Sequence, residues 1–96
     1  MTTTRTCFLI DDDLDDQEIF ELALQKIDLN IHCSFANDGA EGLQKLRENN
    51  SFIPDFIFLD INMPKMNGMQ CLPEIKTLAH LKSTKIVMYS TTSNES

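Results

Sequence analysis

One short segment limits the architecture of this chain more than any other. Phe56-Ile57-Phe58-Leu59 is apolar without alternation and ends on a carboxylate, Asp60. A strand apolar on both faces must be covered on both faces, as the central strand of a parallel sheet is. Cys7-Phe8-Leu9-Ile10 and Ile86-Val87-Met88-Tyr89 are of the same kind, and Ile31 to Ala36 alternates well enough for a fourth strand. Between these runs the period changes to that of a helix. From Asp16 onward Ile19, Phe20, Ala23, Leu24 and Ile27 share one face; Ala40, Leu43 and Leu46 mark a short second helix; Met69, Leu72, Ile75 and Leu78 mark a third. Pro73 inside the third predicts a late start or a kink there. Asn37-Asp38-Gly39, Asn49-Asn50-Ser51 and the stretch from Asp60 to Gly68 are the breaks.

The order is βαβαβαβ with short connections. It predicts an α/β fold: a doubly wound parallel sheet with helices on both faces and right-handed crossovers. Ligands of such sheets bind beyond the carboxyl ends of the strands. Strand one ends on Asp11, strand three on Asp60 and strand four on Ser90, so the polar residues collect at the edge where a site is expected.

Composition narrows the function. The 96 residues suit one domain, 1–96, with a single core. Fifteen acidic against eight basic residues leave a formal charge of −7. Nucleic acid and anionic membrane surfaces both select clustered Lys and Arg, so neither is the expected partner. The longest apolar stretches are four residues each, far short of the roughly 20 of a membrane helix and too short for a secretion signal. The expected location is the cytoplasm. Cys7, Cys33 and Cys71 are odd in number, widely spaced and flanked by apolar residues, so they read as reduced core thiols rather than zinc ligands or a disulfide framework.

Asp11-Asp12-Asp13 followed by Asp15-Asp16 is the sharpest local feature. Carboxylates favour the N-terminal end of a helix, which accounts for Asp13, Asp15 and Asp16. It accounts poorly for Asp11 and Asp12, which follow directly on a buried strand. In the predicted fold Asp11, Asp12 and Asp60 converge, and like charges ~4 Å apart cost about 4 kcal/mol per pair at an effective dielectric of 20. Such a cluster takes up protons or holds a cation, and hard oxygen ligands suit Mg²⁺. A carboxylate beside that metal is a plausible nucleophile toward phosphorus. Two other carboxylate motifs fail. An EF-hand loop opening at Asp11 would need Gly where Asp16 stands and Glu where Leu22 stands. The Asp-x-Asp-x-Thr/Val pattern of haloacid-dehalogenase-like phosphatases is broken by Asn62 at one site and Asp15 at the other.

Phe8-Leu9-Ile10-Asp11-Asp12, the block from Pro54 to Gly68 (PDFIFLDINMPKMNG) and Ile86-Val87-Met88-Tyr89-Ser90-Thr91 together resemble the receiver domains of bacterial two-component response regulators, from about Cys7 to Ser93. The resemblance implies a flavodoxin-like, CheY-like fold in which Asp60 is the phosphoacceptor. Asp12 would bind Mg²⁺ directly, Asp11 mostly through water, and the backbone carbonyl of Asn62 would be a further ligand. Ser90 would place its hydroxyl on the phosphoryl group and move on activation. The implied partners are a sensor histidine kinase or phosphotransfer protein and a downstream protein. Such a receiver is a signalling module rather than an enzyme. The extra acids after Asp12 are similar to those of stand-alone receivers, some paired with phytochrome-type kinases. The family's fifth strand, with its Lys, and its last two helices have no counterpart here. The domain is therefore expected to be C-terminally incomplete, with apolar surface on Phe20, Leu24 and Ile27 exposed. A fragment, or a homodimer or domain-swapped oligomer filling the gap, would account for that. Thr92-Ser93-Asn94-Glu95 has the form of a capping box with no helix after it.

Two other functions fit parts of the pattern. A pseudo-receiver, an unphosphorylated protein-interaction module of the same fold, is favoured by the absent Lys and opposed by the intact Asp11, Asp12, Asp60 and Ser90. A metal-dependent phosphohydrolase with Asp60 as nucleophile would show steady turnover. His32 and His80 read as surface or structural, the five Met residues as core and loop filling, and Lys65 as a solvated side chain.

Overall fold

Residues 4–27, 30–64 and 66–90 are described by the structure, a computed structural model. The apolar runs form four parallel strands, β1 (Arg5–Ile10), β2 (Ile31–Ala36), β3 (Phe56–Asp60) and β4 (Lys85–Tyr89), in the order β2-β1-β3-β4. The two central strands, β1 and β3, are the two most buried ones, as two-sided covering requires. Phe8, Leu9, Ile10, Ile57 and Leu59 have no solvent contact. β1 begins two residues before its apolar run, because Arg5 and Thr6 pair through their backbones with Ile31 and His32 whatever their side chains.

The helices divide between the faces. α2 (Gly39–Glu48) and α3 (Gly68–Lys76) cover the side bearing Phe8, Ile10, Ile57 and Leu59, and Leu43, Leu46, Cys71 and Ile75 complete that core. α1 (Leu14–Ile27) lies on the other side, where Phe20 meets Phe58 edge-on at 4.7 Å. A 3₁₀ turn, Ala79–Leu81, which the sequence pattern does not announce, contributes Leu81 to the core and takes over Leu78 as its cap.

Three expectations are corrected. Of the three α1 residues expected to be exposed, Ile27 is, at 77%, whereas Phe20 and Leu24 are half-buried; Ala23 and Ile19 on the same stripe are exposed, Ile19 by 65%. Among the described residues α1 is the one helix on its side of the sheet, so half of its apolar surface points past the strands. In α2 the inner positions are Gly39, Gly42, Leu43 and Leu46, with Ala40 facing out. α3 starts before Pro73 and carries it inside, on the exposed side. An Asn67–Gln70 capping box starts the helix early enough that the missing Pro N–H costs one bond and not the helix. All three cysteines are free thiols, with Cys7 and Cys71 buried and Cys33 half-buried. Burial pushes the Cys71 thiol up to about 11. The capping-box tetrapeptide 92–95 and Lys65 lie outside the described residues.

Leu46 and Ile19 test the packing. Leu46→Ala should cost about 2–5 kcal/mol in chemical denaturation, as a fully buried leucine does. Ile19→Ala should stay within about 0.5 kcal/mol, the range of an exposed site.

Candidate functional site

Parallel pairing brings the strand ends to one edge. Ile10 is in register with Leu59, so Asp11 leaves the sheet beside Asp60. Asp60 is in register with Tyr89, so Ser90 leaves it at the same edge. Each carboxylate is then shaped by its own loop.

Asp11 is 1% exposed. Its N–H extends the sheet to the carbonyl of Ala36 at 3.1 Å, and its Oδ1 accepts the N–H of Asp13 at 2.9 Å. Asp13 caps α1, its carboxylate accepting the N–H groups of Asp15 at 2.9 Å and Asp16 at 3.4 Å. The acidic run is therefore split. Asp13, Asp15 and Asp16 serve the helix start, where the backbone offers positive ends, while Asp11 and Asp12 stay with the strand. Gln17, the one buried residue of α1, donates its amide to the carbonyl of Asp11 at 2.8 Å and to Asn37 at 3.0 Å. It locks the β1–α1 turn to the β2–α2 turn.

Asp60 is also 1% exposed, and its Oδ1 accepts the N–H of Asn62 at 3.0 Å. The chain must then fold back closely: Gly68 donates its N–H to Ile61 at 3.3 Å to begin α3. A Cβ at Gly68 would stand 2.8 Å from the carbonyl oxygen of Asp60 and 3.0 Å from the Cα of Ile61, so glycine is required by the approach of the two backbones. Asn62 also donates its side-chain amide to the hydroxyl of Ser90 at 2.9 Å. Tyr89 donates its phenol to Oδ2 of Asp11 at 2.6 Å. Burial first, and then the hydrogen bond to Asp11, raise the Tyr89 phenol well above its ordinary pKa, so it stays a donor.

One carboxylate oxygen each from Asp11, Asp12 and Asp60 lies within 4.8 Å of the other two. Between the two buried members the repulsion is roughly 3–4 kcal/mol at an effective dielectric of about 20. Asp12 is largely exposed; the partial desolvation of its carboxyl first, then the charges of Asp11 and Asp13, raise it from its ordinary value. The donor set is hard oxygen at the mouth of a sheet, part buried and part open to water. That fits a magnesium-like ion, which takes few carboxylates and keeps several waters. A carboxylate held among its fellows by such an ion can act as a nucleophile toward phosphorus.

The structure thus brings together Asp11, Asp12 and Asp60, and reaches Ser90 through Asn62. His32 and His80 are not part of the group. Tyr89, Gln17 and the side chain of Asn62 were not singled out from the sequence. The one signal for Tyr89 was a polar tip closing an apolar strand at the carboxyl edge.

Comparison with known proteins gives the same picture. Residues 7–96 match the family model of the response regulator receiver domain. The chain is 28% identical over 95 residues to the response regulator Rcp1 of Synechocystis sp., covering 95% of this chain and 65% of that protein. It is 34% identical over 73 residues to a transcriptional regulatory protein CpxR homolog of Haemophilus influenzae, covering 76% of this chain and 30% of that one. It therefore spans less than two thirds of the length of either relative. The fold is similar to that of the phosphorylated cyanobacterial phytochrome response regulator RcpA, with TM-score 0.82 and 33% identity over 97% of this chain and 69% of that one. It is also similar to the Vibrio cholerae chemotaxis protein CheY4, with TM-score 0.78 and 25% identity over 97% and 73%. Among the described residues no helix is long and apolar enough to cross a membrane.

Gly68 gives the sharpest local test. Helix propensity alone favours Ala over Gly by about 1 kcal/mol inside a helix. The contact with the Asp60 backbone should reverse that sign, so Gly68→Ala is expected to destabilise by about 1–3 kcal/mol in chemical denaturation.

Proposed function

Since this chain belongs to the response regulator receiver family, we propose that it accepts a phosphoryl group on Asp60 from the phosphohistidine of a sensor kinase or phosphotransfer protein. The observation that carries this reading is the position of Asp60. It ends β3, one of the two central strands, almost wholly buried, with oxygens of Asp11 and Asp12 within 4.8 Å. A carboxylate oxygen of Asp60 attacks phosphorus as the donor's N–P bond breaks, and the imidazole keeps the leaving electron pair. Asp12 and Asp60 would hold Mg²⁺ directly, Asp11 mostly through water, and the backbone carbonyl of Asn62 would add a ligand. When bound, that ion supplies neutralising charge for the transferring phosphoryl oxygens. The Ser90 hydroxyl, held by Asn62 at 2.9 Å, leaves that partner to bond the phosphoryl group.

The similarity to phytochrome response regulators supports a phytochrome-type kinase as the donor. Output would run through a protein partner, and the net charge of −7 speaks against direct nucleic-acid or membrane binding. The reading places the chain in the cytoplasm, as one receiver domain.

Intact mass, measured before and after incubation with Mg²⁺ and acetyl phosphate, tests the reading. One phosphoryl group should be gained, should require Mg²⁺, and should be lost in Asp60→Asn. A folded chain that gains none would overturn it in favour of an unphosphorylated interaction module. Continuous release of phosphate would overturn it in favour of a phosphohydrolase.

A further inference from the structure

The phenol of Tyr89 lies in the site and is not used by the proposed transfer. Its oxygen is 2.6 Å from Oδ2 of Asp11, while Oδ1 of the same carboxylate takes the Asp13 N–H at 2.9 Å. One donor on each oxygen fixes the plane of the carboxylate. The main chain of Asp11 is held as well, by Ala36 at its N–H and Gln17 at its carbonyl. Tyr89 is itself anchored: it is in register with Asp60, and its carbonyl accepts the N–H of Ile61 at 2.9 Å. Its chain neighbour is Ser90, whose hydroxyl Asn62 holds. A single residue thus joins the first strand's carboxylate to the loop after Asp60 and to the end of β4.

A hydroxyl suits this place on physical grounds. It relieves part of the repulsion among buried carboxylates through a short hydrogen bond to a charged acceptor. It does so without adding positive charge of its own to the cluster. Each carboxylate oxygen has two lone-pair directions, and a single donor on each leaves one free for a metal-bound water. Exposed Asp12, at the open side of the cluster, is left as a direct ligand alongside Asp60.

Building on the receiver reading above, we propose that Tyr89 is a positioning residue, whose hydroxyl holds Asp11 in the orientation from which it serves the bound ion. Loss of the partner of a metal-serving group costs about 10- to 100-fold in metal affinity.

The test compares Mg²⁺ affinity by calorimetry for the wild-type chain, Tyr89→Phe, Asp11→Asn and the double variant, each checked for cooperative melting. Tyr89→Phe should weaken Mg²⁺ binding about 10-fold. In the Asp11→Asn background the same change should matter less than about two-fold, because the phenol acts through Asp11. The chain has one tyrosine and no tryptophan, so its ultraviolet emission reports this phenol with no mutation of Tyr89. Emission should change with Mg²⁺ at the calorimetric midpoint in the wild type and stay unchanged in Asp11→Asn. Wild-type or tighter affinity in Tyr89→Phe, an equal loss in both backgrounds, or emission indifferent to bound Mg²⁺ would each overturn the proposal while leaving the receiver reading intact. A wild-type chain that binds no Mg²⁺ would overturn both.

Discussion

The parallel pairing of β1 with β3 is the constraint on which the rest of the molecule depends. Because the two strands run the same way and Ile10 stands opposite Leu59, the residues that follow them leave the sheet together. Both are aspartates. The same pairing supplies the core, since Phe8, Ile10, Ile57 and Leu59 form the floor on which α2 and α3 pack. Shifting the register by one residue would turn these side chains to the opposite face. It would also separate Asp11 from Asp60. The burial that stabilises the fold and the crowding of charge that gives it chemistry are therefore one arrangement.

Neutral donors offset part of that crowding. Asp13 and Asn62 give backbone N–H groups to Asp11 and Asp60, Tyr89 gives its phenol to Asp11, and Gln17 fixes the turn from within. Hydrogen bonds to charged acceptors contribute about 1.5–3 kcal/mol each. That is of the same order as the repulsion between the two buried carboxylates. The site is buried on its sheet side, at Asp11 and Asp60, and Asp12, Asn62 and Ser90 form its exposed rim.

Much of this was legible in the sequence, for identifiable reasons. Strand identity followed from the unbroken apolar runs, and the parallel sheet from their alternation with helical segments. Asp11 and Asp60 stood out because a carboxylate ending a buried strand has no structural excuse. What was not legible depended on partners distant in sequence. The α1 residues Phe20, Leu24 and Ile27 were expected to be exposed, but the half-burial of Phe20 depends on the ring of Phe58 in β3. Pro73 was weighed by its local cost, whereas the Asn67–Gln70 capping box decides where α3 begins. Tyr89 looked like the last residue of an apolar strand, and only the position of Asp11, 78 residues away, turns its hydroxyl into part of the site. The amide of Asn62 is in the same position toward Ser90.

If the folded chain holds Asp11, Asp12 and Asp60 as a cation site that the unfolded chain lacks, Mg²⁺ must stabilise it. Thermal unfolding in MgCl₂ and in KCl of matched ionic strength measures this. Folded-state binding should raise the midpoint progressively with Mg²⁺, the added stability reaching about 2.7 kcal/mol at 100 times the dissociation constant. The rise should be absent in KCl. A midpoint that follows ionic strength alone, with no difference between the two salts, would mean that the three carboxylates do not form a cation site.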